Sequence, residues 1–110
     1  GGRMIYVASP YTSIEPGLET HRYYSVMRYV AEQMKIGRIM FSPILHCHQL
    51  SLVHNMPCDF EFWRDYCLGM LNNADAFEVL CLPGYETSHG VNEELKFART
   101  LGIQITFVQP

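Results

Sequence analysis

Charge is scarce in this chain. Only 17% of its 110 residues are Asp, Glu, Lys or Arg, and the net charge is −3, against a usual charged share of about 25%. No basic block breaks that pattern, so a nucleic-acid polymer, which demands a cationic face, is not expected as the partner. No apolar run reaches the ~18 residues that a membrane-spanning helix needs, and no signal-peptide pattern opens the chain. The glycine fingerprint G-x-G-x-x-G is absent, which argues against a dinucleotide site. None of the four cysteines, Cys47, Cys58, Cys67 and Cys81, forms a C-x-x-C pair or a zinc-ribbon spacing. All four are read as reduced thiols, and a cytoplasmic location is expected.

What is present points to a globular fold. Apolar residues make up 48% and aromatic residues 13% of the chain, well above a disordered composition. The length suits one domain with its own core. Gly1, Gly2 and Arg3 precede Met4 and are expected to be an added remnant, leaving 4–110 as a single domain.

Short apolar runs alternate with helical patterns. Met4 to Ala8 reads as a strand and Ser9-Pro10-Tyr11-Thr12-Ser13 as a loop rich in small hydroxyls, which suits a phosphate or sugar site or an ordinary turn. Glu19 to Ile36 reads as a helix on Tyr23, Val26, Met27, Val30 and Met34, stopped by Gly37. Arg22 near its start opposes the helix dipole, as an anion partner or as a solvated cation. Arg38 to Phe41 is the second strand. Ile44 to Cys58 reads as a long connection, expected to be a lid over a ligand. It carries His46 and His48, candidates for proton transfer or for plain backbone hydrogen bonding. Their H-x-H spacing with Cys58 fits no standard zinc motif, and no metal is expected. Asp59 caps a helix to Asn73 whose stripe is Phe60, Trp63, Cys67, Met70 and Leu71. Ala76 to Leu82 and Ile103 to Val108 complete the strands.

The most informative stretch is Leu82 to Ala98, LPGYETSHGVNEELKFA. Pro83 and Gly84 end a strand, and after Gly90 the apolar residues Val91, Leu95, Ala98 and Leu101 recur at helical spacing. At ~100° per residue Glu94 falls on or beside that stripe, whereas Glu93, Lys96 and Arg99 point outward. Taken alone, Glu94 also reads as an acid complementing the helix dipole. The β-α-β-α-β-α-β order implies an α/β fold: a doubly wound, flavodoxin-like parallel sheet of four to five strands, order 2-1-3-4, with helices on both faces. Its switch point lies between the first and third strands, so the loops 9–17 and 83–90 meet at one crevice.

The pattern of Ser88, Gly90, Val91, Glu94, Leu95 and Ala98 resembles the signature of the nucleoside 2-deoxyribosyltransferase-like superfamily. Together with IYVASPYT and FSPILHCH, the chain from Met4 to about Val108 is most similar to the DUF1937 branch. The resemblance implies that Glu94 is the nucleophile on a sugar's anomeric carbon and that Ser88 helps hold the 5′ end of a nucleoside or nucleotide. It also implies a homodimer or larger assembly, and relatives carry an Asp at the position of Cys67. The candidate set is therefore Glu94, His46 and His48 for catalysis, and Ser9, Pro10, Tyr11, Arg22, Trp63, Cys67, Tyr85, Ser88 and Gly90 for substrate binding. Cleavage or transfer of an N-glycosidic bond needs a carboxylate opposite an oxocarbenium-like carbon, with no metal or organic cofactor. Cys67 supports the alternative, a nucleotide-binding module without turnover. A metal-binding regulatory module through His46 and His48 is the third reading.

Overall fold

The computed structural model describes residues 3–110; Gly1 and Gly2, part of the expected remnant, lie outside the described residues. Four strands form one all-parallel sheet: β1 (Met4–Ala8), β2 (Ile39–Phe41), β3 (Ala76–Leu80) and β4 (Gln104–Val108), in the order β2-β1-β3-β4. Tyr6 lies opposite Phe41 on one side and Phe77 on the other, which sets the register of the three inner positions. The helices are α1 (Leu18–Lys35), α2 (Pro43–His54), α3 (Phe60–Leu71) and α4 (His89–Leu101), with a single 3-10 turn at Tyr85–Thr87.

Period-2 alternation divides the strands between two cores. Tyr6, Ala8, Phe77 and Val79 face α3 and α4, packing on Trp63, Cys67, Leu71, Val91, Leu95 and Ala98. Ile5, Val7, Ala76 and Leu80 face α1, packing on Tyr23, Val26 and Val30. The stripe expected on α1 holds except at its end: Met34 is exposed. An 18-residue helix rises ~27 Å at ~1.5 Å per residue, whereas five-residue strands extend only ~17 Å, so its last turn overhangs the sheet.

The third strand is less apolar than its flanks suggest. Glu78 is buried at its centre on the α1 side. The Arg38 guanidinium pairs with it at 2.6 Å and the Tyr29 hydroxyl donates to it at 2.5 Å, as a buried carboxylate requires.

The expected lid at 44–58 is largely a helix. Ser42 and Pro43 open α2, proline being preorganised for a first helical position, and Asn55 ends it at φ 51°. Ile44 enters the core on the α1 side while Cys47 enters the other. Burial on two sides removes the single apolar stripe by which a helix is normally read. Among the described residues, no helix is long and apolar enough to cross a membrane.

Candidate functional site

The loops after β1 and β3 meet at the C-terminal edge of the sheet, around a cavity of about 250 Å³. The β1 loop contributes Ser9, Pro10, Tyr11 and Thr12, and α1 sends in Arg22. The opposite wall is Thr87, Ser88, Gly90 and Glu94 from the 3-10 turn and α4. The first turns of α2 and α3 close the sides with Pro43, Ile44, Asp59 and Phe60, while Cys47, Cys58, Trp63 and Cys67 line the depth. Three helices thus begin at this cavity, and helix N-termini carry partial positive charge.

Glu94 is only 4% exposed. Its carboxyl is held by the hydroxyl of Tyr6, a β1 residue with no exposed surface. Burial pushes the Glu94 carboxyl up to about 8, with the Tyr6 hydrogen bond pulling the other way. Burial likewise raises the Tyr6 phenol well above its usual range, and the charge of Glu94 adds to that. Cys67 belongs to the same cluster: burial first, then Glu94, pushes its thiol up to about 12. At neutral pH the cluster therefore holds a largely protonated carboxyl, a phenol and a thiol.

Two local devices shape the entrance. Ser88 caps α4, its Oγ accepting from the Val91 amide at 3.3 Å, and Asp59 caps α3 by accepting from the Phe62 amide at 3.3 Å. Arg22 ties the two crevice loops together. Its Nη1 donates to the carbonyls of Tyr11 (3.2 Å) and Thr12 (3.1 Å), and its Nη2 to that of Pro83 (3.2 Å). Gly84 makes room for it, since a Cβ there would sit 2.7 Å from Nη2.

The structure thus gathers Glu94, Ser9, Pro10, Tyr11, Arg22, Trp63, Cys67, Ser88 and Gly90 around one cavity. Three other candidates lie elsewhere. His46 is exposed on α2 and stacks on Tyr66 with ring centroids 5.2 Å apart. His48 is buried behind the wall: its Nδ1 pairs with the Tyr11 hydroxyl and its ring stacks on Tyr23 at 4.0 Å. Burial lowers the pKa of His48, which favours the neutral ring. Tyr85 packs beside Phe107, centroids 6.4 Å apart, and does not line the cavity. Formation of α2 explains both histidines, because a helix turns His46 and His48 to different sides whereas a loop could have delivered either. Among the described residues, no three His, Cys, Asp or Glu side chains are gathered as a metal site.

Asp59, expected as a helix cap, and Cys47, expected as a plain thiol, also line the cavity, and Tyr6, for which the sequence suggests no role beyond a strand, holds Glu94. The available signal for Tyr6 was its alternation: with Ala8 it faces the helix that bears Glu94, and a phenol buried there needs a partner.

Comparison with known proteins places this geometry in context. The family model described as a domain of unknown function, DUF1937, matches residues 3–109. No curated protein sequence matches. A solved 2-deoxyribosyltransferase from the psychrotolerant bacterium Bacillus psychrosaccharolyticus, described as a biocatalyst for nucleoside synthesis, is similar at 22% identity and a TM-score of 0.65. The match covers 97% of this chain and 72% of that one. A 2-desoxiribosyltransferase from Leishmania mexicana is similar at 20% identity and a TM-score of 0.60, over 97% of this chain and 64% of its own. The chain therefore spans about two thirds of the length of these structures, and at such identities the likeness is one of fold.

Proposed function

The chain belongs to the DUF1937 family and has the nucleoside 2-deoxyribosyltransferase-like fold, and on that basis we propose that it acts on the N-glycosidic bond of a nucleoside or nucleotide. The observation that carries this reading is Glu94, a buried carboxyl on the cavity wall, at the switch point of the sheet and held by Tyr6. An ionised Glu94 attacks the anomeric carbon as the C–N bond breaks, and the bonding electron pair leaves with the base. Water or a second base then takes the sugar from the carboxyl, which regenerates Glu94. Trp63 and Tyr11 offer aromatic surface for the base. The Tyr6 bond orients the carboxyl and eases its ionisation against the cost of burial.

The leaving base departs more easily when protonated. The Cys67 thiol, held neutral by burial and by Glu94, is a weak proton donor. That observation favours the second reading, a nucleotide-binding module that keeps the crevice without turnover. Incubation with a panel of nucleosides and nucleotides, followed by chromatography of free base, separates the two. Base release that disappears in Glu94→Gln supports the enzyme; binding without release supports the module. Full turnover in Glu94→Gln would remove Glu94 as nucleophile. Exchange into labelled free base then distinguishes transfer from hydrolysis.

A further inference from the structure

We propose that His48 is a positioning residue: from behind the cavity wall it fixes the ring of Tyr11, and through that ring it sets the affinity for a nucleobase and makes it sensitive to pH. This rests on the reading of the cavity as a nucleoside site and adds to it a residue that never touches the substrate.

Tyr11 needs holding. Residues 9–13 form neither helix nor strand, so no ladder of backbone hydrogen bonds fixes the loop between β1 and α1. Tyr11 is 9% exposed and lines the cavity. Its backbone is held from α1, where Arg22 Nη1 donates to its carbonyl at 3.2 Å. Its ring is held from α2, where the phenol pairs with His48 Nδ1. The two rings meet edge to face, with centroids 5.5 Å apart and planes at 89°.

His48 is itself fixed. It is 4% exposed, and its ring stacks on Tyr23 of α1 with centroids 4.0 Å apart and planes at 21°. Three rings, from the β1 loop, α1 and α2, thus form one block. Burial lowers the pKa of His48, with the charge of Glu19 pulling the other way, and burial raises the Tyr11 phenol. At neutral pH the pair is therefore a neutral imidazole and a protonated phenol. A neutral imidazole has one acceptor nitrogen. Nδ1 accepts from the phenol, and the ring proton sits on Nε2. An apolar side chain at this position would leave a buried hydroxyl without a partner.

Protonation undoes the arrangement. An imidazolium has two donors and no acceptor, so the Tyr11 hydroxyl must turn its own proton away, and the block must hold a buried charge. The titratable groups about the ring are Tyr11 from the loop and Tyr23 and Glu19 from α1, the Glu19 carboxylate also accepting from the Ser13 amide at 3.1 Å. On α2 itself, His46 is exposed and stacked on Tyr66. The bond from Tyr11 is present while His48 is neutral and is lost as pH falls through its pKa. Because that pKa is lowered, the loss begins below the ordinary histidine value of ~6.5. A ring already fixed in the wall needs no ordering when a base stacks on it, which is worth about 3- to 10-fold in affinity.

The test is calorimetric titration with adenosine, guanosine, cytidine and uridine. It uses the whole chain carrying Glu94→Gln, so that neither turnover nor the titration of Glu94 enters. Tyr11→Phe, which removes the hydroxyl, and His48→Phe, which keeps the stack on Tyr23 but removes the acceptor, should each weaken the tightest nucleoside about 3- to 10-fold. The double variant should be no worse than either alone. His48→Gln, whose amide oxygen can accept from the phenol, should restore most of the affinity. With His48 and Tyr11 both present, nucleoside affinity should fall between pH 6.5 and pH 4.5, whereas Tyr11→Phe and His48→Phe should remove that step. Tyr11→Phe decides the matter if His48→Phe does not fold. Affinity unchanged in Tyr11→Phe, effects that simply add, or no loss of affinity down to pH 4.5 overturns the proposal, as does a chain that binds none of the four nucleosides. Base release that Glu94→Gln abolishes, without coupling between Tyr11 and His48, keeps the proposed reaction and defeats the positioning role alone. Coupling in a chain that releases no base defeats the reaction and keeps the role.

Discussion

Glu94 makes the chemistry of this site a question of protonation. An acid whose pKa rises from its ordinary 4.5 to about 8 on folding binds more protons in the native than in the unfolded state between those values. Stability contributed by that proton is full below about pH 4.5 and is lost as pH rises toward about 8. Glu94→Gln carries no such proton, so the melting temperature of the native protein should fall relative to this variant between pH 5 and pH 8. A difference that stays constant across that range would mean that Glu94 is not buried as a neutral acid. Activity has the opposite slope. In the proposed reaction the carboxylate is the nucleophile, so kcat/KM should rise with pH and level off beyond about 8; a profile flat from pH 6 to pH 9 would contradict it. Cys67 gives a second test at this scale. Cys67→Asp places the carboxylate expected from the family resemblance beside Glu94. Base release should increase, whereas the added buried charge should cost ~1–3 kcal/mol, several degrees of melting temperature for a domain of this size. A folded variant that binds nucleotide but reacts no faster would make Cys67 a packing residue.

At the scale of elements, the turn after β3 and the start of α4 matter most, because they bring an arginine, a capped helix and a buried acid to one wall. Gly84 permits this in two ways: its φ is +93°, and its missing side chain leaves space for Arg22. Gly37 has nearly the same φ, +91°, but open space around it. Comparing Gly84→Ala with Gly37→Ala therefore separates backbone strain from collision. Each should cost ~1 kcal/mol for the left-handed conformation; Gly84→Ala should cost more and weaken binding of a nucleoside or nucleotide in the cavity that Arg22 lines, whereas Gly37→Ala should leave binding unchanged. Equal effects on melting temperature and on binding would remove Arg22 from the site. The strands, α1, α3 and α4 were readable because each shows either a short apolar run or one apolar stripe. The helix α2 was not, since Ile44 and Cys47 serve different cores and its histidines interrupt any stripe. Without α2 nothing in the sequence fixes where His46 and His48 point, and neither lines the cavity. The position of Glu94, by contrast, depended only on local helical phase and survived intact.

Among the described residues, large apolar side chains are exposed on several elements, and one group of them lies on α2 and α3. On α2, His46 and Val53 are seven residues apart and so share a face; on α3, Phe62 and Tyr66 are four apart and do likewise. The stack of His46 on Tyr66 joins these faces. Val53 is 68%, Phe62 51% and Tyr66 36% exposed. Single exposed apolar side chains are ordinary, but several on two helices joined by a ring stack are the kind of surface that interactions use. Both helices also begin at the cavity, so a second copy of the chain seated here would shield its flank and deepen a site that one small domain can build only shallowly. A homodimer or larger assembly is therefore expected. Light scattering at micromolar concentration should give at least twice the 12.7 kDa chain mass. Val53→Glu and Phe62→Glu should return it to the monomer mass without lowering helix content, since neither side chain is in a core. Base release, if it depends on a shielded cavity, should fall in the same variants in proportion to dissociation and recover at high protein concentration. A monomer mass for the unaltered chain would refute the assembly, and a dimer unmoved by either substitution would place its interface on another face.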